Sequence, residues 1–219
     1  KTLAAMITRL DRDVGRIMAL LKELKLDDHT LVIFNSDNGA WVDEKSTPDA
    51  YGSNGGLHGH KGQLWEGGIR VPGLLEWPAR IRQPRSTAVR VSTSDIYPTI
   101  VDLLKIRIPD QVLPLDGISI VPLLDGAMKE RPKPMGYWSY DDRGGKLDAD
   151  AGPSAWIGNR YKLIKHSPKK VELYDLLADP EEAADLADKH PEIVATMRLE
   201  LEAWLQSVLR SYKGSDYRR

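Results

Sequence analysis

The sequence predicts an α/β fold followed by a small α+β domain, and three observations carry that expectation. A helical apolar period over residues 3–24 runs straight into a short apolar strand; oxygen-bearing side chains crowd the end of that strand; and from residue 135 short strand-like segments precede one long helical stripe.

In the first segment Leu3, Met6, Ile7, Leu10, Val14, Ile17, Met18, Leu21 and Leu24 recur at spacings of three and four, opposite Arg12, Asp13, Arg16, Lys22 and Glu23. This is an amphipathic helix whose apolar stripe suits one face of a sheet. Asp11 and Asp13 read as surface charges paired with Arg9 and Arg16. The helix stops at Asp27-Asp28, and Leu31 to Phe34 follow as an unbroken apolar run, the pattern of a strand covered on both faces.

That strand ends abruptly in Ser36-Asp37-Asn38-Gly39. In open α/β sheets ligands bind beyond the carboxyl ends of strands, where loops diverge. Asp37 and Asn38 offer a carboxylate and an amide carbonyl, hard donors of the kind Ca²⁺ or Mg²⁺ selects. Taken alone such a triplet is more often a turn. The next stretch shifts the balance: Gly59-His60-Lys61-Gly62 sets a cation between two glycines that let the main chain approach a bound group, and Glu66-Gly67-Gly68 follows. The competing reading is a solvated lysine in a flexible loop.

The connecting loop from Ala40 to Leu57 has no hydrophobic period and is expected to be an irregular excursion. His58 and His60 flank Gly59; with no Cys and no third nearby ligand, a polar role facing substrate fits them better than a transition-metal site. Ile69 to Trp77 reads as a buried strand interrupted by Pro72. Beyond it come a strand or extended piece near Val89-Arg90-Val91, a helix from Ser94 or Asp95 through Lys105 capped by Ser94 with Pro98 in its first turn, and a short helix from Ser119 to Leu124.

Arg131-Pro132-Lys133-Pro134 marks a boundary, so residues 1–133 and 134–219 are expected to be separate domains. Met135 to Tyr140, Ala155 to Ile157, Tyr161 to Lys165 and Val171 to Tyr174 read as a four-stranded antiparallel sheet, with Gly158-Asn159 as a tight turn. Asp179-Pro180-Glu181-Glu182 has the cap, proline and glutamate of a short helix. Pro191 opens a long one, striped by Ile193, Met197, Leu201, Trp204, Leu205 and Val208. Tyr137, Trp138, Tyr140 and Trp156 suit a sugar-binding rim, although core packing explains most of them as well.

Composition removes several classes. Of 219 residues 41% are apolar, enough for a core, and 31 basic against 32 acidic residues give a net charge of −1, so no overall field favours nucleic acid or an anionic membrane. With no Cys there is no disulfide scaffold or thiolate metal site. No His-Glu-x-x-His, Gly-x-Ser-x-Gly, P-loop, dinucleotide or EF-hand motif occurs. No signal peptide or membrane span is visible in a chain that begins with Lys1.

Ser36-Asp37-Asn38-Gly39 followed by Gly59-x-Lys61-Gly62-x-x-x-Glu66-Gly67-Gly68-x-Arg70-Val71-Pro72 resembles the second signature region of the type I, formylglycine-dependent sulfatases. The likeness extends to Leu10-Asp11-Arg12-Asp13-Val14-Gly15, to Asp27-Asp28-His29-Thr30 and to Glu172 through Glu181. It implies an alkaline-phosphatase-like sulfatase fold, of which residues 1–133 are the C-terminal part of the large mixed-sheet domain. It also implies a divalent cation, Ca²⁺ or Mg²⁺, held by Asp37 and Asn38, with Lys61 as the catalytic cation on the sulfate and His58 and His60 as further substrate contacts. Expected partners are a sulfated small molecule or glycan, with no nucleic acid and no membrane, in a periplasmic or secreted setting.

One departure is large. The family's nucleophile is a formylglycine made within a Cys/Ser-x-Pro-Ser/Ala-x-Arg segment; this chain has no Cys, and Ser46-Thr47-Pro48 lacks the Arg. The sequence therefore looks like the C-terminal half of a sulfatase, inactive and self-associating until the N-terminal half joins it. Two alternatives stay open: a phosphatase or phosphonate-ester hydrolase of the same superfamily, and a non-catalytic scaffold or recognition half.

Overall fold

A computed structural model describes residues 2–41, 52–109, 111, 114–138 and 152–217. They form two compact units, Lys1–Ser36 with Pro72–Thr87, and Asp37–Val71 with Ala88–Arg219. Ser46-Thr47-Pro48, most of the Ala40–Leu57 loop, and Tyr140 lie outside the described residues.

In the first unit the predicted helix spans Thr2–Glu23 (α1). It ends where Lys25 enters the left-handed region, at φ 57°, while Leu26 N–H donates back to Leu21 O. Arg9 and Arg16 both reach Asp13, at 3.8 and 3.5 Å, on an exposed face. The strand Val32–Asn35 (β1) pairs antiparallel with Gly73–Glu76 (β2), from Val32 opposite Glu76 to Asn35 opposite Gly73. The apolar run was expected to be buried on both faces, but β1 is mostly exposed and α1 buries none of its residues. A two-stranded ladder has too few neighbours to cover such faces. The apolar patterning is real, and the partners that would satisfy it are not among the described residues of this unit.

The second unit holds two short helices, Glu66–Ile69 (α2) and Val121–Leu124 (α4), the helix Ile96–Leu103 (α3), a four-stranded sheet and the long helix Pro191–Tyr212 (α5). The sheet is an antiparallel meander, joined in chain order, of Met135–Trp138 (β3), Ser154–Ile157 (β4), Tyr161–Ser167 (β5) and Lys170–Asp175 (β6), the four antiparallel strands the patterning predicted. Successive residues of a strand face opposite sides. One face therefore packs Met135, Ala155, Ile157, Ile164 and Tyr174 with Leu64, Trp65 and Ile69. The other packs Leu163 and Leu173 with Met197, Leu201 and Leu205 of α5. Each of these fully buried leucines contributes about 1.5–3 kcal/mol. The stretch before α2 is thereby built into the core beneath the sheet. Gly136 faces α5, because a Cβ there would lie 2.4 Å from the Trp204 indole.

Three local expectations fail for identifiable reasons. Ser92, not Ser94, caps the helical segment leading into α3: its hydroxyl accepts from Ser94 N–H while Asp95 accepts from Ser92 N–H, a reciprocal box. Of the two readings of Val89-Arg90-Val91 only the strand fails, since the segment forms no ladder. Arg90 instead donates to the carbonyls of Gly158 and Asn159, at 3.3 and 2.5 Å. The helix expected after Asp179 is a turn, since Glu182 adopts φ 57° and points its carboxylate inward rather than back to the cap.

Candidate active site

The two motif halves meet through main-chain hydrogen bonds, all within the second unit. Gly39 N–H donates to Gly68 O at 2.8 Å, Lys61 N–H to Ala40 O at 3.0 Å and Gly67 N–H to His58 O at 2.7 Å. Asn54 bridges the remaining gap, its Oδ1 accepting from Ala40 N–H and its Nδ2 donating to Gly59 O, at 3.1 and 2.6 Å. The glycines are needed for close approach rather than flexibility. A Cβ on Gly39 would lie 1.8 Å from Gly67 O, and one on Gly68 would lie 2.1 Å from Gln63 O.

The predicted side chains lie on the segments that these bonds join. Asp37 and Lys61 are exposed, and neither forms an ion pair among the described residues. Asn38 donates its Nδ2 to Gly39 O at 2.9 Å, which orients the amide with Oδ1 as its acceptor end. His60 is turned back onto its own loop: its Nδ1 lies 3.0 Å from Lys61 O, and its N–H donates to Gln63 Oε1. His58 is exposed and stacks on Trp65, with centroids 4.4 Å apart and planes at 21°.

A hard cation suits Asp37 and Asn38 in donor type, since both supply oxygen. The set is small. Among the described residues no three His, Asp or Glu side chains cluster in a way that could hold a metal.

Glu66 has a role the sequence did not reveal. It is buried, with its carboxylate 3.0 Å from Lys162 Nζ, and Lys162 also meets Glu182 at 2.8 Å; the Lys162 side chain is 0% exposed. Glu182 Oε2 accepts from Glu66 N–H at 2.5 Å, which ties the start of α2 to the turn after β6. Burial pushes the Glu182 carboxyl up, against the pull of Lys162. Separations of 96 and 116 residues left no local signal for these pairings. A second buried pair, Asp95 with Arg131 at 2.7 and 2.9 Å, fastens the helical segment before α3 to the entry of the sheet.

Of the aromatic residues considered for a sugar rim, Tyr137 packs against the core and Trp156 against α5, with its indole N–H on Glu200 at 2.7 Å. Trp138 is 44% exposed.

Comparison with known proteins places the chain. The sulfatase family model matches residues 1–106, and the model of the C-terminal region of N-sulphoglucosamine sulphohydrolase matches residues 56–207. Steryl-sulfatase of Homo sapiens is 42% identical over 122 residues, covering 55% of this chain and 21% of that protein. N-acetylgalactosamine-6-O-sulfatase of Bacteroides thetaiotaomicron is 29% identical over 220 residues, covering 92% and 40%. The crystal structure of Ps i-CgsB in complex with k-i-k-neocarrahexaose matches with a TM-score of 0.75 at 27% identity, covering 91% of this chain and 42% of that one. The chain thus spans between about a fifth and two fifths of the length of these relatives. With the sulfatase model on residues 1–106, a sulphohydrolase C-terminal model on residues 56–207 and the same fold, the chain belongs to the sulfatase family and corresponds to the C-terminal portion of its members.

Proposed function

We propose that this chain supplies part of the metal and sulfate site of a sulfuric ester hydrolase that cleaves sulfate esters of carbohydrates. The observation that carries this reading is the main-chain bonding between the Asp37-Asn38-Gly39 segment and the Gly59–Gly62 loop, which joins two hard oxygen donors and an exposed lysine in one packed loop assembly. Relatives named as sulfatases of an aminosugar and a structural neighbour crystallised with a neocarrahexaose support a sulfated glycan as substrate.

Asp37 and Asn38 would hold the divalent cation, Ca²⁺ or Mg²⁺, which when bound supplies Lewis-acid stabilisation of charge on sulfate oxygens. Lys61 places a positive charge against the sulfuryl group without gaining or losing a proton. His58 and His60 contact the substrate, His58 through its exposed ring and His60 mainly by shaping the loop. The nucleophile, a formylglycine, comes from the N-terminal half, with residues 1–133 joining that half in the large α/β domain and 134–219 forming the small one. We place the enzyme in the periplasm or outside the cell; no helix among the described residues is long and apolar enough to cross a membrane.

The test is Lys61→Ala in the full-length enzyme. Loss of a preorganised charge at the transferring group lowers kcat by about 10²–10³-fold, while the thermal midpoint stays near that of the parent. If the variant unfolds and its folded fraction turns over sulfate esters normally, Lys61 is structural and the assignment fails.

A further inference from the structure

His58 does not stand alone on its loop. Its imidazole lies on the Trp65 indole, and Trp65 is in turn held from β6: the indole Nε1 donates to Glu172 Oε2 at 3.1 Å. The same carboxylate oxygen accepts from Tyr174 Oη at 3.0 Å and lies 2.8 Å from His166 Nε2, whose ring is also 5.5 Å from the indole. Two donors thus converge on one oxygen of a carboxylate that is 13% exposed, with the His166 ring nitrogen beside them. Lys170 adds its charge 3.6 Å from the other oxygen. Burial pushes the Glu172 carboxyl up, but the adjacent His166 ring and the hydrogen bonds from Tyr174 and Trp65 outweigh it and hold the group below the usual carboxylate range. It therefore accepts from the indole as a carboxylate at neutral pH. On the loop side, Gly59 at φ 78° lets the chain pass the indole, where a Cβ would sit 3.0 Å from Trp65 Cβ.

We infer that Trp65 and Glu172 are positioning residues for His58, a clamp from the C-terminal sheet that fixes the plane in which this imidazole meets the sulfated substrate. An exposed histidine otherwise samples several rotamers, and each must be frozen out on binding. The indole face removes that freedom beforehand, and Glu172 removes it from the indole. Strand β6, more than a hundred residues downstream, thereby sets the geometry of the substrate loop. The inference rests on the proposed role of His58 as a substrate contact.

The test uses the full-length enzyme with 4-nitrophenyl sulfate and with isotope-labelled histidine. Trp65→Phe keeps a ring but loses the donor; Glu172→Gln removes the charge with little change in shape. Each should raise KM by about 3- to 10-fold with kcat within about twofold, the range expected for one stacked, preordered contact. In both variants the upfield ring-current displacement of the His58 ring protons should shrink. In a His58→Ala background, Trp65→Phe should add less than about a twofold further change, because residues acting through one group are not additive. Additive kinetic effects, or an unmoved His58 resonance in Glu172→Gln, overturn the inference. So does a His58→Ala variant with unchanged KM, and in that case a retained loss in Lys61→Ala shows that the sulfatase reading survives while the His58 clamp does not.

Discussion

Replacing Lys162 by Met probes the joint between the motif helix and the small sheet. Methionine keeps the volume and length of the side chain and removes only the ammonium, which lies 3.0 Å from Glu66 and 2.8 Å from Glu182. Two carboxylates, with side chains 8% and 0% exposed, would then share a dry site without their counterion. Breaking a buried pair in this way costs about 3–5 kcal/mol, because the surviving charge cannot regain water. Against a total of roughly 5–15 kcal/mol that is a large fraction, and for a chain of this size it corresponds to a fall of roughly 6–20 °C in Tm. The pH dependence has a definite sign. The Glu182 carboxyl is already raised by burial, and loss of Lys162 raises it further. A carboxyl whose folded pKa exceeds its unfolded value stabilises the fold below the unfolded value, near 4.3, and that contribution is lost as pH rises through the folded pKa. The deficit of Lys162→Met should therefore be greatest at neutral pH and shrink on acidification, by up to about 1.4 kcal/mol per pH unit. Chemical denaturation of parent and variant across the acid range measures it. A variant within about 0.5 kcal/mol of the parent at neutral pH, or a deficit that grows on acidification, would refute the account of the triad.

Asp37→Ala in the full-length enzyme should lose most of its Ca²⁺ affinity and activity while its thermal midpoint holds, since the side chain is exposed at a loop. Parental affinity by calorimetry would sink its assignment as a ligand. Arg160→Gln should destabilise the protein at neutral pH, because the Arg160 guanidinium, bonded to Asp175 at 2.7 and 2.8 Å, holds that carboxyl below its usual range. A depressed carboxyl stabilises above its unfolded value of about 3.9 and loses that contribution as pH falls, so the gap in Tm should close on acidification; a constant gap argues against the pair. Residues 1–219 expressed alone should self-associate and hydrolyse no sulfate ester, since Leu3, Met6, Ile7, Leu10, Ile17 and Leu20 of α1, and Leu24 just after it, are 42–64% exposed. A monodisperse monomer by sedimentation, turning over an aryl sulfate, would contradict both expectations.

Periodicity and punctuation determined much of this protein without help. The stripe from Leu3 to Leu24 specified α1, alternation specified β3 to β6, and Pro191 opened α5, because each of these is decided by residues within a few positions of one another. The close packing of the loop rests on Gly39 and Gly68, where only a missing Cβ allows the contacts seen, while Gly62 beside Lys61 has open space and serves by its positive φ. What only the tertiary structure decided were pairings across distance. Glu66 stood in the motif with no partner in view and proved to be bound to Lys162; Glu182 carried the spacing of a capping box and instead turned inward at φ 57° to the same lysine. A buried ammonium that recruits two carboxylates outweighs a helix cap worth about 1 kcal/mol. Burial likewise escaped the sequence at Leu31 to Phe34, since apolar residues state what a strand requires and only its neighbours decide whether that requirement is met.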